Sequence, residues 1–126
     1  MDRRELARAL SSADSITAPT RSFEPWCVLG VTGSPGVGKS CLVERIVSHW
    51  LDCGEKVAIL AVDPTSPLTG GALLGDRARM VKDMGDACLF RSLASRGSTG
   101  GVAGCTDLAA EILARAGFDI ILIETV

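Results

Sequence analysis

The 126-residue chain is predicted to fold as an α/β domain built on a parallel sheet. Nearly continuous apolar runs of strand length occur at residues 26–32, 57–62 and 119–124, and such runs are typical of strands covered by helices on both faces. Segments of helical periodicity separate these runs, and glycines or prolines bound them. Strands alternating with helices at this spacing indicate a parallel α/β sheet.

The first 25 residues are predicted to form a short helix followed by a linker. Residues 1–12 carry a capping pattern, with Asp2 followed three positions later by Glu5, and Leu6 and Leu10 share one helical face. Residues 13–25 are rich in Ser, Thr and Pro and lack periodicity. The domain itself is therefore expected to span residues 26–126.

The remaining elements follow from periodicity and from helix-ending glycines. Residues 39–53 carry two adjacent apolar stripes that Gly54 can end. Glycine-rich or proline-rich loops are expected at 65–75 and 95–104. The other predicted elements are a helix over 76–84, a third strand over 87–90 and a helix over 106–116.

Composition excludes several classes of function. Thirteen basic and fifteen acidic residues give a net charge of −2 without a basic block, so nothing favours a nucleic-acid or anionic membrane surface. No apolar run approaches the roughly eighteen residues of a membrane-spanning helix. The five cysteines are scattered without metal-ligand spacing, as expected of small apolar residues in a reducing compartment. We therefore expect a cytoplasmic protein with neither nucleic-acid nor membrane partners.

Residues 33–40 match the phosphate-binding pattern G-x-x-x-x-G-K-[ST] in full. They lie between a predicted strand and a predicted helix, which is the setting that this pattern requires. Glycines let successive backbone N–H groups point into one concavity that a phosphate fills, and the helix N-terminus adds unpaired donors. The predicted nucleotide-binding residues are Gly33, Ser34, Pro35, Gly36, Val37, Gly38, Lys39, Ser40 and Cys41.

Three acidic residues are candidates for organising Mg²⁺ together with Ser40. Glu124 ends the fourth predicted strand, Asp63 ends the second, and Asp76 follows the predicted loop over 65–75. The carboxyl ends of parallel strands meet at one edge of a sheet, where carboxylates can converge on a metal. Asp63 can instead be a turn residue before a proline, and Asp76 a helix cap. The candidate catalytic residues are Lys39, Asp63 and Glu124.

Several strings occur together in one order, and they are much more specific than the phosphate loop alone. They are residues 33–40, Ala61-Val62-Asp63-Pro64-Thr65-Ser66-Pro67, Gly70-Gly71, residues 74–80, Ser95-Arg96-Gly97, residues 100–103 and residues 116–126. Over residues 26–126 the chain resembles the MeaB/ArgK family of P-loop GTPases.

The resemblance implies a three-layer P-loop NTPase fold whose parallel sheet has the strand order 3-2-4-1. It implies Mg²⁺-dependent binding and hydrolysis of GTP, and a G-protein chaperone role for adenosylcobalamin-dependent methylmalonyl-CoA mutase. Lys39 would hold phosphates and Ser40 would hold Mg²⁺. Asp63, Asp76 and Glu124 would line the metal and switch region.

The chain departs from the family pattern at three places. Cys41 stands where threonine commonly follows the loop serine, and residues 104–107 stand where basic residues are usual. The guanine-reading motif N-K-x-D does not occur before Val126. The chain is therefore expected to be the N-terminal part of a G domain, truncated after the strand that ends in Glu124.

These departures leave two alternative functions open. An ATP-using kinase or ATPase of an arginine/ornithine transport system would share the scaffold, and an inactive fragment would bind phosphate only.

The strand over 26–32 is expected to lie at the edge of the sheet, where apolar strands pair with other chains. A homo-oligomer is therefore expected.

Overall fold

Four parallel strands form one sheet in the computed structural model, which describes residues 2–13, 27–34, 36–63, 85–94 and 101–125. The α-helices are α1 (Arg3–Ala13), α2 (Lys39–Asp52) and α3 (Gly101–Arg115). The strands are β1 (Cys27–Val31), β2 (Val57–Asp63), β3 (Cys88–Ala94) and β4 (Ile120–Thr125), and a 3₁₀ turn over Gly85–Ala87 precedes β3.

The strand order is β1-β4-β2-β3, which is the predicted order 3-2-4-1 read from the opposite edge. All three neighbouring pairs are parallel, and the register places Glu124 of β4 beside Val31 of β1 and Ala61 of β2. The carboxyl ends of β1, β2 and β4 therefore meet at one edge of the sheet.

Helices cover both faces of the sheet, which confirms the three-layer architecture. Because side chains alternate along a strand, β2 and β4 each supply residues to two separate cores. The core against α2 contains Val43, Val47, Val57, Ile59, Cys88, Ile120 and Leu122. The core against α1 and α3 contains Leu6, Leu10, Ala58, Leu60, Leu93, Ala109, Ala110, Leu113, Ala114, Phe118 and Ile121.

The N-terminal helix α1 is part of the second core. The predicted capping pair is confirmed, since the Glu5 N–H donates to Asp2 Oδ1 at 2.7 Å and the Asp2 N–H donates to Glu5 Oε2 at 3.1 Å. Leu6 and Leu10 are buried. The guanidinium of Arg91 donates to Ser11 Oγ at 2.6 Å, which attaches the end of α1 to β3. A domain boundary at residue 25 stays a prediction.

Two elements differ from the sequence-based expectation. β3 continues to Ala94 instead of ending at residue 90, because parallel pairing with β2 extends past the polar residues Arg91 and Ser92. α3 begins at Gly101 instead of residue 106, so the expected loop over 95–104 is wrong at its C-terminal end. Glycine costs a helix only about 1 kcal/mol per residue, which the rest of a 15-residue helix can offset.

The expected irregular segment over 65–75 and the expected helix over 76–84 lie outside the described residues, as does most of the linker. Within the described residues, none of the helices has the length and apolar character needed to cross a bilayer.

Candidate phosphate and metal site

The loop between β1 and α2 has the backbone that a phosphate cradle requires. Gly36 has a φ of 84° and Gly38 a φ of 93°, a left-handed conformation that residues with a side chain rarely adopt. At Gly33, a Cβ atom would lie 3.3 Å from Val37 Cγ2, so the loop is also tightly packed there. These observations explain the three glycines of residues 33–40. Pro35 lies outside the described residues.

The N-terminus of α2 presents backbone donors at the end of this loop. The Leu42 N–H donates to the Gly38 carbonyl at 3.1 Å as the helix begins, so the N–H groups before Leu42 precede the intrahelical ladder. Gly38 is the N-cap residue and has no side chain that could accept from them. The helix dipole adds a partial positive charge at this end. This geometry is suited to the binding of an anion.

Lys39 supplies a full positive charge at the same place. Its side chain is only 8% exposed, and its ammonium donates to the Gly33 carbonyl at 3.1 Å and to the Thr125 carbonyl at 2.7 Å. Both acceptors are uncharged carbonyls, and a phosphate would add an anionic acceptor for the same ammonium.

Glu124 lies at the carboxyl edge of the sheet on the side of the phosphate loop. It shares a strand face with Ile120 and Leu122, which pack against α2, and it is 1% exposed. Ser40 occupies the second position of α2 and is partly buried. Both residues make polar interactions within the fold. A hydroxyl and a carboxylate are hard oxygen ligands of the kind that Mg²⁺ prefers, so the donor set fits this metal.

The structure places the other predicted metal residues only in part. The backbone of Asp63 ends β2 in register with Ala94, while its side chain and all of Asp76 lie outside the described residues. Their convergence with Glu124 stays a prediction. Cys41 is exposed beside Ser40, at the edge of the predicted nucleotide site.

Sequence reasoning did not anticipate the backbone carbonyl of Thr125 as a partner of Lys39. Thr125 lies 86 positions from Lys39, and every residue type carries the same carbonyl. The sequence therefore contains no signal for this contact beyond the expectation that β4 ends near the loop.

Comparison with known proteins decides the family. A sequence profile described as methylmalonyl Co-A mutase-associated GTPase MeaB matches residues 12–126. The chain belongs to the MeaB family of GTPases. GTPase ArgK of Escherichia coli is 36% identical over 139 aligned positions, covering 99% of this chain and 42% of that protein. The chain therefore spans less than half the length of this MeaB-family relative.

A second relative has a mutase in its name. A fused isobutyryl-CoA mutase of Geobacillus kaustophilus is 45% identical over 124 positions, which cover 96% of this chain and 11% of the fused protein. Among solved structures, the signal recognition particle receptor FtsY of Elizabethkingia anophelis in complex with GDP aligns with a TM-score of 0.55 at 18% identity. That alignment covers 98% of this chain and 36% of FtsY, and it shows the fold alone.

Proposed function

We propose that this MeaB-family chain binds the phosphates of GTP and GDP through residues 33–41 and, within a whole G domain, contributes to Mg²⁺-dependent GTP hydrolysis. The observation that carries the proposal is the buried ammonium of Lys39 at the N-terminus of α2. Its two carbonyl partners within the described residues are neutral, and an ammonium at the N-terminus of a helix is suited to bind a phosphate.

Each residue of the site has a proposed part. Backbone N–H groups of the loop and of α2 bind phosphate oxygens, and Lys39 contacts the β- and γ-phosphates. Ser40 and Glu124 would hold Mg²⁺ and its waters, joined by Asp63 and Asp76. When bound, Mg²⁺ neutralises charge on the phosphates.

We further propose that the whole protein acts in the cytoplasm as a G-protein chaperone for an adenosylcobalamin-dependent acyl-CoA mutase, methylmalonyl-CoA mutase being the expected partner. Two findings support this part. The family description names association with methylmalonyl-CoA mutase, and the fused isobutyryl-CoA mutase includes a segment similar to nearly all of this chain.

The phosphate site is tested by calorimetric titration of the 126-residue chain with GDP and with ADP. We expect both to bind weakly and with similar affinity, because phosphate recognition lies within residues 33–41 and no N-K-x-D motif occurs in the chain. A GDP preference of tenfold or more, about 1.4 kcal/mol, would contradict the expectation. Binding of neither nucleotide would overturn the proposal.

Substitution of Lys39 tests whether GDP and ADP bind at the predicted phosphate loop. Lys39→Ala is expected to weaken both nucleotides by about ten- to a hundredfold, since hydrogen bonds to charged groups contribute about 1.5–3 kcal/mol. The control is Lys56→Ala. Lys56 is exposed and precedes β2, at the amino end of the strand, whereas the phosphate loop lies at the carboxyl end of the sheet. Equal losses in the two variants would indicate non-specific attraction by positive charge.

A further inference from the structure

Two side chains that commonly bind metals meet at the C-terminal end of α2. Cys53 Sγ lies 3.8 Å from Nε2 of His49, which is the one histidine of the chain. Residues four positions apart lie on the same face of a helix, so the spacing itself brings the two side chains together. Metal-ligand spacing is absent between pairs of cysteines, but it is present between Cys53 and this histidine.

The distance between these two atoms fits a shared zinc ion. Zinc binds thiolate sulfur at about 2.3 Å and imidazole nitrogen at about 2.0–2.1 Å, with tetrahedral angles between its ligands. Two such ligands on one ion are therefore roughly 3.6 Å apart, which is close to the observed 3.8 Å. Both residues are exposed, so an ion can reach them from solvent. Binding requires little rearrangement of either side chain.

Backbone hydrogen bonds hold the end of α2 without help from this pair. The Cys53 N–H donates to the His49 carbonyl at 3.0 Å, and the Gly54 N–H donates to the Leu51 carbonyl at 3.0 Å. Gly54 has a φ of 87°, the left-handed conformation that commonly follows a helix. The two metal-binding residues are therefore positioned by the helix end itself.

The pair is remote from the candidate phosphate and metal site. Cys53 caps α2 14 positions after Lys39, which corresponds to roughly 21 Å along the helix axis. The ligand chemistry differs as well, because Mg²⁺ prefers oxygen ligands, whereas thiolate and imidazole suit zinc. The two ends of α2 therefore favour different ions.

We propose that Cys53 and His49 form a zinc-binding site. The thiol gives up its proton and binds through Sγ, while the imidazole binds through the Nε2 lone pair and keeps its proton on Nδ1. Among the residues that the structure describes, no third Cys, His, Asp or Glu joins them, and water fills the remaining positions on the ion. The site uses no residue of the proposed nucleotide site and is independent of the proposed function.

Cobalt tests the thiolate ligand, because Co²⁺ in a zinc site absorbs in the near ultraviolet when a thiolate binds it. The 126-residue chain, prepared without a histidine tag and kept reduced, is titrated with Co²⁺ in excess Mg²⁺ and then with Zn²⁺. We expect a thiolate-to-cobalt absorption band that saturates at one ion per chain and disappears as zinc replaces cobalt.

Variants assign the band to the pair. Cys53→Ser is expected to abolish it. His49→Gln is expected to weaken cobalt binding by at least about tenfold, since mutation of groups that only orient metal ligands already costs about 10- to 100-fold in affinity. The matched control is Cys27→Ser, which removes another exposed cysteine, from β1, and is expected to leave the band unchanged. Thermal unfolding of each variant checks that the fold is retained.

His49 also gives a readout that needs no variant. Because the chain has one histidine, labelling histidine with ¹⁵N yields imidazole signals from His49 alone. Addition of Zn²⁺ to the wild-type chain is expected to shift the Nε2 resonance more than the Nδ1 resonance.

The absence of a cobalt band, or imidazole resonances that stay in place with Zn²⁺, overturns the site. A band that persists in Cys53→Ser, that His49→Gln leaves at full affinity or that Cys27→Ser removes overturns its assignment to this pair. None of these outcomes affects the proposed nucleotide site, which the GDP and ADP titrations test.

Discussion

A substitution that changes only the charge of Glu124 tests whether its carboxylate helps to bind Mg²⁺. Glu124→Gln keeps the size of a side chain that is 1% exposed. We expect it to weaken GDP binding in the presence of Mg²⁺ by about 10- to 100-fold, the usual cost of disturbing the shell around a metal. In EDTA the loss is expected to be much smaller, since only the charge facing the metal changes. Calorimetry under both conditions measures the difference.

The chain offers a matched control for this substitution. Glu111 is another buried glutamate, 7% exposed, and it accepts from the Arg115 guanidinium at 2.8 Å on α3. Glu111→Gln is expected to leave the Mg²⁺ dependence of GDP binding unchanged. Equal effects of Glu124→Gln with and without Mg²⁺ would assign Glu124 a structural role.

Cys88 is expected to make the free energy of unfolding depend on pH in the alkaline range. Burial at the start of β3 raises the pKa of its thiol from 9.0 to about 11, and the nearby positive charge of Arg3 opposes part of this rise. An unfolded chain therefore loses this proton at a lower pH than the folded chain. The contribution is fully present below pH 9 and is lost as the pH rises towards about 11.

At about pH 10, this thiol is expected to lower the free energy of unfolding by about 1 kcal/mol relative to pH 8. Urea denaturation of the wild type and of Cys88→Ala measures the difference, because the variant lacks this titration and retains every other ionisable group. Parallel losses of stability in the two proteins would show that Cys88 does not cause the pH dependence.

At the scale of secondary-structure elements, α1 contributes to the core although the MeaB family profile does not predict it. The profile matches residues 12–126, and α1 lies almost wholly before them. Leu10 is 1% exposed against the core that contains Leu60 and Leu113. Leu10→Ala is therefore expected to lower the free energy of unfolding by about 2–5 kcal/mol. Arg8→Ala, at an exposed position of the same helix, is expected to change it by about 0.5 kcal/mol or less.

Chemical denaturation of the two variants distinguishes a packed helix from a loosely attached one. If Leu10→Ala were as mild as Arg8→Ala, then α1 would not contribute to the core in solution.

At the scale of the whole molecule, β1 is an edge of the described sheet, where it pairs with β4 alone. Cys27 and Val28 are exposed on it, Val28 to 44%, and an exposed apolar edge strand is a template for pairing with another chain. We expect the 126-residue chain to self-associate at tens of micromolar, as measured by light scattering coupled to size-exclusion chromatography.

Two substitutions separate strand pairing from general apolar attraction. Val28→Lys places a charge on the edge strand and is expected to reduce association. Leu42→Lys removes a similarly exposed apolar side chain, 54% exposed, from α2, and is expected to reduce it less. A monodisperse wild-type monomer would contradict the expectation.

The sequence by itself determined the elements that depend on near neighbours. The phosphate loop, the start of α2 at Lys39 and the end of β4 near Glu124 all follow from spacing along a few residues. Local geometry is decisive there, because left-handed backbone at Gly36 and Gly38 needs glycine whatever the rest of the fold does. The strand order was predicted through the resemblance to a family, not from periodicity.

Tertiary structure alone decided the features that depend on distant residues. The helical start at Gly101 goes against local propensity, and the extension of β3 through Arg91 depends on pairing with β2. The contact between Lys39 and the Thr125 carbonyl joins positions 86 residues apart. A backbone carbonyl carries no sequence signal, so only the packing of β4 beside the phosphate loop brings it to the ammonium.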